Sequence, residues 1–201
     1  MDITLYEAPT SRAQRCRWIL AEVGATYESV SGRDIIGSDG LKKIHPLGKV
    51  PAVVIDGKPL IESAAICTYI ADQFPEKGLI AKPGTWPRAL HDQWVCFCLS
   101  EMEAWLWNTA VNTFVLPKEE RIPAVFEQNA KLFSASAAVV DQVLENNDYL
   151  VDNRFSVTDI IMGFTISWAN YYKLIETFEN LQNYLDRLYA RPNCTLEKSN
   201  A

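Results

Sequence analysis

The sequence predicts a two-domain chain, an α/β part with a small mixed sheet followed by an all-helical part. Three observations predict it. Residues 1–77 alternate short β-like runs with amphipathic helical stretches. Residues 87–201 carry helical periodicity alone. Between them, residues 78–86 hold Gly78, Pro83 and Gly84, the punctuation of a linker.

The elements follow in order. Ile3-Thr4-Leu5-Tyr6 is a short strand, and Ala8-Pro9-Thr10-Ser11 is a loop. From Arg12 to Val23, the apolar Cys16, Ile19, Leu20 and Val23 share one helical face, and Gly24 stops the helix. Tyr27 to Val30 is a second strand, and residues 31–46 form a polar, glycine-rich loop with room for one helical turn. Ala52–Ile55 and Pro59–Ile61 flank Asp56-Gly57, a type I′ hairpin signal. Ser63 to Phe74 is a helix ended by Pro75. The first β-α-β unit favours parallel pairing with a right-handed crossover, and the hairpin adds antiparallel strands. In the second part, helices are predicted from Pro87 to about Phe114, Pro123 to Glu145, Thr158 to Lys173 and Phe178 to Ala190, packed as a bundle.

Composition narrows the function. Of 201 residues, 48% are apolar and 22% charged, the make-up of a globular protein. A net charge of −6 disfavours nucleic acid or an anionic membrane as the main partner. No apolar run reaches the ~18 residues of a membrane span. The start, Met1-Asp2-Ile3-Thr4, lacks the basic and apolar regions of a signal peptide. Five cysteines at irregular spacing (Cys16, Cys67, Cys96, Cys98, Cys194) read as reduced thiols of a cytoplasmic protein. Cys96-x-Cys98 is too tight for a zinc knuckle, so no metal is expected. With only two histidines, a His-based triad is disfavoured; His91 reads as a surface or interface residue. Glu101 and Glu103 read as a solvated helix face.

Three segments carry chemistry. A proline opening a strand, as in Val50-Pro51, cannot donate to the ladder. If its bond is cis, the Val50 N–H and C=O face outward, where an extended peptide could pair with them. Eleven residues later, Glu62-Ser63 lies where a hairpin feeds a helix. A hydroxyl and N–H at a helix start suit a carboxylate, and Glu62 suits an ammonium group. Ser11 lies at the start of the first helix, with Thr10 beside it. A hydroxyl donated to a thiolate there would lower the thiol pKa. Taken singly, each segment reads as an edge proline or a helix cap.

Together, Pro46-Leu47-Gly48-Lys49-Val50-Pro51-Ala52 and Ile61-Glu62-Ser63-Ala64-Ala65-Ile66 resemble the glutathione transferase superfamily, in particular its serine-type bacterial members. The likeness spans almost the whole chain. Phe155-Ser156-Val157-Thr158-Asp159-Ile160 adds to it and looks like the family's structural capping box, Ser156 and Asp159 serving each other's backbone N–H. The resemblance implies a thioredoxin-like glutathione-binding domain over 1–77 with a four-stranded mixed sheet, and a helical domain over 87–201. It implies cis Pro51, Val50 on the cysteinyl backbone of glutathione, Glu62 and Ser63 on its γ-glutamyl group, Lys49 at its glycyl carboxylate, and Ser11 as the activating hydroxyl, with Thr10 and Arg12 as alternates. It implies an electrophile site between the domains, with Trp105, Asn108 and Phe114 as candidates beside Trp107, Tyr171 and Tyr172, and a homodimer. The activity implied is conjugation of the glutathione thiolate to apolar electrophiles, in detoxification. An isomerase, dehalogenase or peroxidase on the same scaffold is the alternative, as is a protein-binding module without activity. Three departures stand out: Arg12 follows Ser11, His45 stands where Asn is usual, and Asp152 stands where a glycine usually precedes the capping box.

Overall fold

A computed structural model describes residues 1–198. Four strands, β1 (Ile3–Glu7), β2 (Glu28–Ser31), β3 (Ala52–Ile55) and β4 (Lys58–Ile61), form one sheet in the order β2-β1-β3-β4. β1 and β2 are parallel; β1–β3 and β3–β4 are antiparallel. Asp56 (φ 48°) and Gly57 (φ 77°) both lie in the left-handed region, as the predicted type I′ turn requires. Pro59 lies on edge strand β4, where a missing N–H is tolerated.

Two helices cover this sheet. α1 (Ala13–Val23) ends at Gly24, whose φ of 74° lets its N–H reach the Ala21 and Leu20 carbonyls. The loop's single helical turn is α2 (Asp39–Lys42), capped by the Ser38 hydroxyl. α3 (Ser63–Gln73) packs against α1. Leu5, Val53, Trp18, Ile19, Leu20, Ile66, Cys67 and Ile70 are fully buried at this core. Each such side chain contributes about 1.5–3 kcal/mol of burial.

The helical part begins with α4 (Trp86–Phe97) and α5 (Ala104–Ala110), followed by α6 (Val125–Leu144), α7 (Val157–Tyr171) and α8 (Glu179–Tyr189). The predicted Pro87–Phe114 helix is continuous but not uniform: Cys98–Glu103 and Val111–Val115 are wide π-helical turns. α7 is buried on nearly every side, as a helix apolar all round must be. Two sequence expectations are corrected here. Residues two apart face opposite sides of a helix, so Glu101 is exposed while Glu103 is buried, accepting from Thr165 Oγ1 at 2.7 Å. His91 is buried rather than superficial, its Nδ1 2.9 Å from Thr158 Oγ1.

The chain divides into two compact units. Met1–Ile80 with Arg191–Glu197 form one, and Ala81–Ala190 form the body of the other. The expected helical domain over 87–201 therefore gives up Arg191–Glu197, whose donors find acceptors on α1.

Ser156 and Asp159 form the expected capping box at the start of α7. The Asp159 carboxylate is enclosed and accepts from the Ser156 N–H (2.8 Å), the Ser156 hydroxyl (3.1 Å), the Leu150 N–H (3.1 Å) and the Tyr184 hydroxyl (2.9 Å). Asp152 (φ 52°) and Asn153 (φ 48°) take the left-handed turn ahead of it, and Asn153 Oδ1 accepts from the Asp148 and Tyr149 N–H groups. Asp and Asn bear this conformation better than most residues, so the missing glycine leaves the turn intact. Asp159→Ala strands four donors in a dry site and is expected to cost about 3–5 kcal/mol, measured by urea denaturation. Burial pushes the Asp159 carboxyl up from 3.8 to about 6, against the pull of its donors. Between those values the folded state holds a proton that the unfolded chain releases. This group therefore favours the fold at low pH, and its contribution is lost as pH rises from about 4 to 6. The stability of wild type minus that of Asp159→Asn is expected to fall across that window, by up to about 3 kcal/mol.

Candidate active site

Strand register gathers the three chemical segments at one end of the sheet. Tyr6 pairs with Ala52 and Ala52 with Ile61. The chain leaving β1 toward Ser11, the Val50-Pro51 segment entering β3 and the Glu62-Ser63 segment leaving β4 thus share that end. The Val50–Pro51 bond is cis, and Pro51 is buried.

Upstream of it, the loop is fixed by backbone. Gly48 takes φ 60°, donates to the His45 carbonyl at 2.7 Å and accepts from the Gly37 N–H at 2.8 Å. His45 is buried and its Nδ1 accepts from the Leu47 N–H at 3.2 Å, a side-chain turn of the kind Asn makes, which accounts for histidine at that position. Lys49 is exposed.

Outside the hairpin, only two non-glycine residues of this unit take left-handed backbone among the described residues, Thr10 (φ 56°) and Glu62 (φ 70°). Both lie at the gathered end. Such conformations cost about 1–3 kcal/mol and concentrate where function demands them. Glu62 is exposed and its carbonyl accepts the Ile66 N–H at 2.9 Å. Ser63 is buried as the first residue of α3.

Arg15 was missed by reading the sequence. It is fully buried and its Nη1 donates to Ser63 Oγ at 3.1 Å. The bond fixes the guanidinium at the N-terminus of α3, whose end is partly positive. A signal was present: Arg15 sits among buried positions of an amphipathic helix, where a cation is expected only with partners.

Both hydroxyl candidates hold local bonds. Ser11 Oγ is half-buried, donates to the Ala8 carbonyl at 2.7 Å and accepts from the Ala13 N–H at 3.2 Å. Thr10 Oγ1 is exposed, donates to the Pro9 carbonyl at 2.7 Å and accepts from Arg33 Nη2 at 3.0 Å. Arg12 is half-buried at the helix entry. Cys16 lies beside Cys67 inside the core, and burial pushes its thiol well above the usual range, the reverse of activation.

In the helical unit, Trp105 is half-buried, Asn108 exposed and Phe114 62% exposed. Asn108 Oδ1 is held by Asn129 Nδ2 at 2.8 Å. Asn112, buried in the second wide turn, accepts the Ile122 N–H at 2.9 Å and fixes the approach to α6. Among the described residues, no group of three or more His, Cys, Asp or Glu side chains is placed to hold a metal ion.

Fold and site together define a two-domain protein with a thioredoxin-like ligand-binding domain and a helical domain. Residues 1–72 match the profile of the glutathione S-transferase N-terminal domain, and residues 85–192 that of its C-terminal domain. The chain belongs to the glutathione S-transferase family. Among its relatives, Protein LigF of Sphingobium sp. is 29% identical, the match covering 96% of this chain and 91% of that protein. Glutathione S-transferase GstA of Escherichia coli O157:H7 is 27% identical, over 81% and 84% of the two chains. A sphingomonad glutathione S-transferase solved in complex with glutathione superposes with a TM-score of 0.83 at 27% identity, over 95% and 94%.

Two substitutions test the backbone reading. A Cβ at Gly48 would lie 2.9 Å from the Gly37 Cα, in a conformation side chains resist. Gly48→Ala is expected to cost about 3 kcal/mol and lower Tm by roughly 8 °C. Glu62→Gly relieves strain and removes only an exposed side chain. Its Tm is expected to equal or exceed that of wild type, and a fall of several degrees would show that Glu62 is held for stability alone.

Proposed function

We propose that this glutathione transferase binds glutathione as an extended peptide along the cis Val50–Pro51 segment and ionises its thiol at the Thr10–Ser11 turn. The thiolate then attacks an electrophilic carbon of an apolar substrate. The observation that carries the reading is the pairing of a left-handed Glu62 with Ser63 at the N-terminus of α3, over the buried Arg15 guanidinium. A γ-glutamyl group bears an ammonium and a carboxylate on one carbon, and Glu62 and Ser63 offer complements to both. Lys49 would meet the glycyl carboxylate. The match to a transferase solved with glutathione supports the same assignment.

Ser11 is the first choice for activation. Its proton would turn from the Ala8 carbonyl toward the sulfur while Oγ keeps the Ala13 N–H. A donor to the thiolate stabilises the charged form and lowers the thiol pKa. The exposed, strained Thr10 supports a second reading in which its hydroxyl donates instead. The rest of the reaction needs positioning: the sulfur–carbon bond forms, the leaving group departs with the electron pair, and the thiol proton has gone to solvent. Trp105, Asn108 and Phe114 would face the electrophile. The reading includes a cytoplasmic homodimer acting in detoxification.

Retention on immobilised glutathione is the first test, and Ser63→Ala is expected to weaken it. Failure of wild type to bind would instead favour a role in protein binding. With an aryl halide, Ser11→Ala is expected to lose about 100-fold in kcat and to shift the pH–rate profile upward. Unchanged turnover in Ser11→Ala with loss in Thr10→Val would transfer the role to Thr10.

A further inference from the structure

After α8 the chain turns at Pro192 and runs back along α1. Arg191 grips Glu22 in the last turn of that helix with two bonds, Nε to Oε1 at 3.0 Å and Nη2 to Oε2 at 3.2 Å. Asn193 Nδ2 adds a third at 3.3 Å, and the Trp18 indole N–H a fourth at 3.0 Å. The Glu22 side chain is only 7% exposed, so this pairing is far less screened than a surface ion pair. Farther on, Leu196 is buried and the chain reaches the first turn of α1. There the Thr195 hydroxyl donates to the Gln14 carbonyl at 3.0 Å, and the Glu197 N–H donates to Gln14 Oε1 at 3.1 Å. The segment is thus tied to α1 at both ends and lies antiparallel to it.

The upper tie falls where the candidate chemistry begins. The Gln14 N–H donates to the Ser11 carbonyl at 3.1 Å. The next residue, Arg15, supports Ser63. A first helical turn has few backbone bonds of its own and frays readily. Gln14 is held from outside through both its carbonyl and its side chain, and is only 6% exposed.

We infer that Arg191–Glu197 is a positioning strap for the catalytic end of α1, with Thr195 and Arg191 as positioning residues that act through Gln14 and Glu22. The inference rests on the transferase reading for its catalytic consequence, and on the hydrogen bonds alone for its structural one. Loosening the strap lets the Ser11 turn sample other positions. The thiol is then activated less well, while the groups that hold the peptide on β3 and α3 stay in place.

The test uses the full-length chain with Thr195→Val, Thr195→Ser and Arg191→Gln, compared with wild type by amide hydrogen exchange and by conjugation kinetics. In Thr195→Val, exchange at Ala13–Arg15 is expected to speed up about fivefold, the loss of one hydrogen bond, with α3 unchanged and Thr195→Ser restoring protection. The kcat for an aryl halide is expected to fall about threefold with an upward shift of the pH–rate profile, while KM for glutathione stays within twofold. Arg191→Gln is expected to loosen the last turn of α1 more than the first. Wild-type exchange at Ala13–Arg15 in Thr195→Val overturns the strap. Faster exchange with unaltered kcat and pH profile leaves a structural tie and overturns the positioning role. If wild type does not conjugate at all, the transferase reading fails, while the exchange result still decides whether the strap exists.

Discussion

A guanidinium that is fully buried must find inside the protein what water would have given it. Arg15 does so partly through Ser63, and this bond joins α1 to the first residue of α3. The cost of leaving such a charge without partners, about 3–5 kcal/mol, ties the two helices more firmly than their apolar contact specifies on its own. Apolar packing would tolerate a small slide of α1 along α3. A directional N–H···O bond does not. The arrangement at the sheet end depends on that restraint, because α1 carries Thr10 and Ser11 at its entry and α3 carries Glu62 and Ser63 at its own.

The sheet supplies the other half of the constraint. β1 meets β3 antiparallel, and β3 meets β4 through a two-residue turn. A register shift of one residue would turn Val53 and Ile55 out of the core. The register that buries them also sets Pro51 beside Glu62. Core formation and site assembly are therefore one event: the hydrophobic alternation that selects the strand pairing also selects which loop ends meet.

Much of this was legible in the sequence because the signals were local. Asp56-Gly57 specifies its turn through two backbone angles, and Ser156 with Asp159 specifies a cap through one helical turn. Gly24 ends α1 because few other residues take its conformation cheaply. What stayed hidden depends on partners distant in sequence. Arg15 became interpretable only beside Ser63, 48 residues away. Glu103 and His91 became buried residues once α7 supplied Thr165 and Thr158. The return of Arg191–Glu197 to the first unit rests on acceptors at Glu22 and Gln14, more than 160 residues earlier. Periodicity read the long helix correctly in extent but could not show its wide turns at Cys98–Glu103 and Val111–Val115, where the ladder departs from 3.6 residues per turn.

The site also resolves an apparent conflict in charge. The chain carries a net −6, yet the ligand proposed for it presents carboxylates. Long-range attraction cannot supply the affinity, since charges beyond about 8 Å are screened at physiological salt. Local positive potential must do so. Of the cations at that end, Lys49 and Arg15 differ in kind. Lys49 is exposed, so any pull it exerts on an anion is screened and varies with ionic strength. Arg15 is enclosed, held in orientation, and aligned with the partly positive end of α3. A field from a fixed, desolvated charge is strong at short range and insensitive to salt. In the proposed reading, a carboxylate would dock at that helix end and Glu62 beside it would complement an adjacent ammonium. On that reading, discrimination at this end of the peptide would come from buried geometry, and the exposed lysine would act mainly on how the ligand approaches.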